Sequence, residues 1–332
     1  MKKKLMIAAG AVFALIGVLL ASVLGFVLLT WEKSYEDVPY PTLTASTDPA
    51  VIAHGEYLVK GPAHCSNCHV GHLDDVMRAD AGEDLPMQGG AAFEMGPLGS
   101  LWTRNLTSDK ETGLGRFSDA ELFRMMRHNV RPNHKASLGP MMPFQKMADD
   151  DLIAVVSYLR TLDPVKNEIP EPQWGMLAKV LFAFGPPAPF APVVGHEWPA
   201  KAPAKGRSVE RGEYLANNVA NCVACHTPMD PMTMEATGPI FSGTDIAEPS
   251  PFAEGKAFRG PNLTSHETGI LKNYKSPKAW VVRFRSGRAI PGSFMHWGPF
   301  SRMTEDDLVS IYMYLQTVPP ADHEVGPIVE TL

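Results

Sequence analysis

The chain has 332 residues, 45% hydrophobic and 20% charged, a globular composition that excludes wholesale disorder. Thirty Lys and Arg against 36 Asp and Glu leave a net charge of −6; the clustered positive charge that nucleic acid demands is missing, so no nucleic-acid partner is expected. Four cysteines are too few for a disulfide-dense scaffold, and 30 Pro with 28 Gly point to short helices and long loops.

The first element follows Lys2, Lys3 and Lys4: an uncharged run from Leu5 to Thr30. As a helix it spans roughly 39 Å, enough to cross a hydrocarbon core of about 30 Å with some tilt. The run is longer than the apolar part of a cleaved signal peptide, and no A-x-A site follows it. The reading is an uncleaved single-pass anchor over 5–30. Trp31 suits a membrane interface, and the three lysines favour a cytoplasmic N-terminus. The rest of the chain is then expected in the periplasm, tethered to a bacterial inner membrane.

An internal repeat organises the chain beyond this anchor. Gly55-Glu56-Tyr57-Leu58 returns as Gly212-Glu213-Tyr214-Leu215, and Asn105-Leu106-Thr107 returns as Asn262-Leu263-Thr264. Asp150-Asp151-Leu152 and Tyr158-Leu159 return as Asp306-Asp307-Leu308 and Tyr314-Leu315. Ordered landmarks at a nearly constant offset are a duplication. Two domains of similar fold are expected, at 50–165 and 207–320. Prolines crowd the stretch between them, so 166–206 reads as a semi-rigid linker. Within it, Trp174 to Phe184 is mostly apolar but too short to cross a membrane. It is expected to pack between the domains, with the bilayer surface as the alternative.

Each copy reads as all-α. Thr304 is placed as an N-cap with Asp307 at N3 and Met303 as a hydrophobic staple. From there Leu308, Ile311, Tyr312 and Leu315 keep one face apolar, as do Leu152, Val155, Val156 and Leu159 in the first copy. The Gly-x-Tyr-Leu segments are expected to start another short helix, the Gly letting a second helix cross closely.

Cys65-Ser66-Asn67-Cys68-His69 and Cys222-Val223-Ala224-Cys225-His226 consume all four cysteines. Two thiols three positions apart on one helical turn can add across the vinyl groups of a haem, and the adjoining His then ligates the iron. Zinc would need a fourth ligand at a recognisable spacing, and a thioredoxin-like pair would need a βαβ context. Neither is present in the sequence. Two covalently bound haem c groups are therefore expected, held by Cys65, Cys68, Cys222 and Cys225, with His69 and His226 as proximal ligands. For the distal positions the candidates are Met142, with Met141 next, and Met295, with His296 next. Met147 and Met303 sit at helix starts and read as core. His64, His72, His128, His134 and His266 read as solvated or structural. The two Asn-Leu-Thr segments match glycosylation acceptors, but their shared spacing after each first Cys suggests a common structural role, with Arg104 or Arg259 near a haem propionate.

Gly-x-Tyr-Leu, C-x-x-C-H, a Met loop and a helix ending in Tyr-Leu resemble a class I cytochrome c domain, twice over. Asn105 to Gly113, Met142-Pro143-Phe144 and Ala148 to Leu152 make the chain similar to membrane-bound dihaem cytochromes c, including the cytochrome subunits of periplasmic dehydrogenases. The resemblance implies two tandem cytochrome c-like domains after one transmembrane helix. It also implies single-electron transfer between a dehydrogenase or quinol-oxidising complex and a downstream acceptor such as a terminal oxidase. A peroxidase-type haem enzyme with one exchangeable iron site, or an assembly subunit of a respiratory complex, is the alternative. Alcohol dehydrogenase cytochrome subunits typically carry a third haem motif, which is absent here, and the second copy has Met295-His296 where Met-Pro is usual.

Overall fold

The computed structural model describes the whole chain except residues 1, 138–142, 185–190, 231, 232, 234 and 251. Helix α1 (Lys2–Thr30) leads the chain. Its part from Ala9 to Thr30, 22 residues, is long and apolar enough to cross a membrane by length and composition. The segment after it is strapped to the first half of the repeat. The Tyr35 amide donates to the His134 carbonyl at 2.7 Å, Lys135 pairs with Glu32 at 2.6 Å, and the buried Arg124 guanidinium lies 4.5 Å over the Tyr40 ring.

The first half contains α2 (Pro49–Lys60), the single turn α3 (Cys65–Cys68), α4 (Asp75–Asp80), α5 (Asp119–His128) and α6 (Asp149–Leu159). After α7 (Met176–Phe184) the second half contains α8 (Val209–Tyr214), the turn α9 (Cys222–Cys225), α10 (Pro277–Arg285), α11 (Trp297–Ser301) and α12 (Glu305–Leu315). Helix α2 packs on α6 as α8 packs on α12. Both crossings depend on glycine. A Cβ at Gly55 would stand 1.9 Å from the Ala154 carbonyl oxygen, and one at Gly212 would stand 1.9 Å from that of Ser310. The close crossing is thus as expected, but Gly-x-Tyr-Leu does not begin a helix. In the first half it lies in the C-terminal half of α2, which Asp48 caps by accepting from the Ala50 amide. In the second it ends α8 and runs into a π turn, Leu215–Val219.

The all-α expectation is corrected by two small antiparallel sheets. Strands β1 (Ala92–Glu94), β2 (Gly99–Trp102) and β3 (Gln173–Trp174) form one, in that order. Strands β4 (Glu248–Pro249), β5 (Lys256–Phe258) and β6 (Val329–Thr331) form the other. Strands of two to four residues are too short to show an alternating pattern, and the third strand of each sheet comes from beyond the last helix of its half.

Thr304 caps α12 as expected, its hydroxyl accepting from the Asp307 amide at 3.1 Å. Met147 and Met303 are buried core, together with Leu152, Val155, Val156 and Leu159 and with Leu308, Ile311 and Leu315. One continuous apolar cluster runs through both halves. Helix α7 packs against α1 and against the 3-10 turn Gly96–Leu98 of the first half. The halves meet elsewhere: Tyr57 of α2 bonds Asp307 of α12, Tyr214 of α8 bonds Asp151 of α6, and α4 and its Asp80 hold the loop around α11.

Candidate functional site

Each C-x-x-C-H segment is a single helical turn entered through left-handed backbone, φ 45° at His64 and 50° at Asn221. No disulfide joins the two cysteines of either motif. Burial pushes the Cys65 and Cys222 thiols up to about 12, away from the depressed value of a redox-active thiolate pair. The adjoining histidines are held alike. His69 Nδ1 lies 2.7 Å from the Arg104 carbonyl, and His226 Nδ1 lies 2.8 Å from that of Pro261. A carbonyl only accepts, so each Nδ1 is the protonated nitrogen and each Nε2 keeps its lone pair for a metal. Loss of solvation lowers both imidazole pKa values against the opposing carbonyl bond, which favours the neutral, ligating form.

Cys65, Cys68 and His69 line a cavity of about 1060 Å³ in the first half. Leu106, Leu122, Met126, Phe144, Val155 and Leu159 make its walls apolar; at its polar rim Arg104 and Arg131 pair with Glu171 and Lys135 with Glu32, while Arg116 also lines it. Apolar walls, two thiols, a tautomer-locked imidazole and basic side chains fit a haem with its two propionates. Trp31, Tyr35, Trp174 and Phe182 also line the cavity; none of these was expected to border it, because they lie outside the repeat. The two arginines expected near a propionate differ. Arg104 lines the cavity while bonding the Pro170 carbonyl and Glu171. Arg259 is engaged with Glu330, at 2.7 and 3.1 Å, and ties β6 down.

Met142 and Met141 lie outside the described residues. Met295 is half-buried against the core cluster, on a loop that the first half clamps. Asp80 takes Arg288 Nε and Nη2 at 2.8 and 2.6 Å and the Gly298 amide at 3.1 Å. Arg302 reaches the Ala79 carbonyl at 2.8 Å. His296 is drawn onto the first motif: its Nδ1 is hydrogen-bonded to Asn67 Nδ2 at 2.8 Å, and its ring stacks on His64 at 4.2 Å and 19°. Burial pushes His64 down to about 4 and His296 well below its ordinary value, so both rings are neutral and can stack. Sequence reasoning missed this clamp, and left His64 as a bland residue, because its partners come from opposite halves.

Asn105 and Asn262 are both 2% exposed. Each side-chain oxygen accepts from the Thr two residues on, and each amide donates to a chain segment after the last helix, at Val165 and Ala321. The shared structural role is borne out. His72 is exposed, while His128 bonds the Val193 carbonyl, His134 meets Arg124 and His266 meets Thr268.

No protein-family model matches the chain. It is 25% identical over 324 residues, 90% of its length, to the fructose dehydrogenase cytochrome subunit of Gluconobacter japonicus. It is 26% identical over 306 residues, 85% of its length, to the cytochrome c subunit of the alcohol dehydrogenase (quinone) of Gluconacetobacter polyoxogenes. Over 197 residues, 54% of the chain and 38% of the relative, it is 30% identical to the gluconate 2-dehydrogenase cytochrome c subunit of Pantoea cypripedii. The chain spans 59% of the length of the first two relatives. Over most of its length it is therefore similar to the cytochrome c subunits of dehydrogenases.

Proposed function

We propose that this chain is a membrane-tethered dihaem c-type cytochrome with one haem c bound in each half. It passes single electrons on the periplasmic face of the inner membrane, between a dehydrogenase or quinol-oxidising complex and a downstream acceptor. The observation that carries the reading is the repeated histidine geometry: behind each pair of thiols an imidazole is locked by a carbonyl 35 residues on, leaving Nε2 free. Bound haem supplies one-electron iron chemistry. The chain's own residues do the rest. Cys65, Cys68, Cys222 and Cys225 prevent dissociation, His69 and His226 set the ligand orientation, and apolar walls such as Leu122 and Val155 keep water from the iron. Met142 and Met295 are the proposed distal ligands; the His296 ring, tied to Asn67, favours Met295 as the second. With His69 and Met142, and His226 and Met295, holding each haem in a packed cradle, the group would supply one-electron chemistry with little rearrangement of the chain. Helix α1 holds the cytochrome near membrane-bound partners and raises their effective concentration. The similarity to dehydrogenase cytochrome subunits supports a dehydrogenase as one redox partner.

The test is intact-protein mass spectrometry after expression with haem-attachment machinery. Two covalent haems are expected, falling to one in the Cys65→Ser/Cys68→Ser variant and to one in Cys222→Ser/Cys225→Ser. A bare polypeptide, or a variant that keeps both haems, overturns the reading.

A further inference from the structure

Helix α7 carries an apolar face that no described part of the chain covers. Met176 and Leu177 are each 49% exposed, Val180 37% and Phe184 58%. At 3.6 residues per turn these four positions fall within an arc of about 100°. Lys179, the helix's only charged residue, lies outside that arc, with its ammonium 5.1 Å over the Trp31 ring. One end of the stripe meets α1, Phe184 against Phe26 at 5.2 Å between ring centroids, and from another side of the helix Phe182 stacks on Trp31 at 6.4 Å. Phe182 also meets Trp174 edge-on at 5.0 Å.

Position along α1 then sets depth. Phe26 lies four residues before Thr30, so it sits about 6 Å inside the apolar end of the helix. Phe184 shares that level, while Lys179 and Phe182 meet Trp31 at the boundary itself, so α7 lies from the boundary to about 6 Å below it, at the border of headgroups and acyl chains where amphipathic helices lie on bilayers. The flanking Trp31 and Trp174 are the residue type that belts such a boundary.

We propose that α7 is a second membrane-contact element, lying in the outer leaflet beside the anchor with Met176, Leu177, Val180 and Phe184 in lipid. This rests on α1 spanning the bilayer. Because Trp31, Tyr35, Trp174 and Phe182 also line the first haem cavity, the same contact sets that cavity against the bilayer surface. The straps from Tyr35, Tyr40 and Glu32 to the first half hold it there.

The experiment uses the full-length holoprotein in nanodiscs of mixed phosphatidylcholine and phosphatidylglycerol, a fraction of the lipid carrying a photoactivated diazirine in its acyl chain. Peptide mass spectrometry reads the adducts. Adducts are expected on α1 and on the peptide holding Met176–Phe184, and Leu177→Glu/Val180→Glu should reduce the second set several-fold while leaving the first unchanged. Adducts on α1 alone overturn the proposal with the anchor intact, whether α7 is in water or covered by a second copy or a partner protein. Adducts on neither helix overturn the anchor itself.

Discussion

The Tyr57 hydroxyl donates to Asp307 at 2.5 Å, and the residue equivalent to it, Tyr214, donates to Asp151 at 2.7 Å. Each hydroxyl also accepts the amide at the start of the other half's last helix, from Thr304 and from Ala148. Each aspartate is held in its own half as well, Asp151 by His54 and Asp307 by Arg211. The repeat thus closes on itself through a reciprocal exchange between its two halves.

Tyr57→Phe removes a hydrogen bond to a buried carboxylate, worth about 1.5–3 kcal/mol. The expected result is a lowered unfolding midpoint for Tyr57→Phe and for Tyr214→Phe, each with covalent haem content equal to wild type. Denaturant titration checks it; two unshifted midpoints would show that the joint lies elsewhere.

Gly212→Ala brings a methyl carbon within 1.9 Å of the Ser310 carbonyl oxygen. Backbone cannot yield as a flexible side chain does, so the loss should reach or exceed the about 1–3 kcal/mol of ordinary overpacking. Gly17→Ala, in α1 with nothing within 4 Å, should leave the thermal midpoint of the two halves unchanged. Equal midpoints for the two variants would contradict the close crossing.

Asp80 and Arg288 are buried at 7% and 6% side-chain exposure, and they clamp the loop that carries Met295. With Met142 and Met295 as the proposed distal ligands, Met295→Ala should halve the far-red absorption band that methionine–iron bonds give the oxidised protein. Asp80→Asn should lower the same band toward that half amplitude while covalent haem content stays at two. A full band in Asp80→Asn, beside a halved one in Met295→Ala, would show that the clamp does not position the ligand.

His323 joins the tail after α12 to the segment following the second motif, bonding the Ser242 carbonyl and, at 2.7 Å, Asp245. Partial burial lowers its pKa, but the Asp245 and Ser242 bonds prevail and raise it. A raised folded-state pKa stabilises wherever the imidazole is charged. The contribution is full below the unfolded value of about 6.5 and is lost as pH rises through the folded pKa. The thermal midpoint of His323→Gln should therefore fall furthest below wild type in mild acid and approach it in alkali. A gap that does not vary with pH would rule this out.

Much of the site was legible from spacing alone. Two thiols and an imidazole within five residues share one helical turn whatever surrounds them, so Cys65 to His69 and Cys222 to His226 needed no tertiary information. The same holds for the apolar run of α1 and the faces of α6 and α12, where the signal is the period of one helix. The carbonyl partners of His69 and His226 were less visible, because a backbone acceptor leaves no side-chain pattern to read.

Tertiary structure alone decided the rest. Tyr57 and Asp307 are 250 residues apart, whereas Tyr214 and Asp151 are 63 apart; contacts equivalent in space have no common sequence separation. Strands β3 and β6 exist only because the chain returns to an edge already formed, and α7 sits on α1 because Phe182 meets Trp31 and Phe184 meets Phe26 there. Periodicity and motif spacing are set by neighbours along the chain, so the sequence determined covalent chemistry and local helices. Pairing across the halves is set by which surfaces remain exposed once those helices have formed, and only the folded chain has such surfaces.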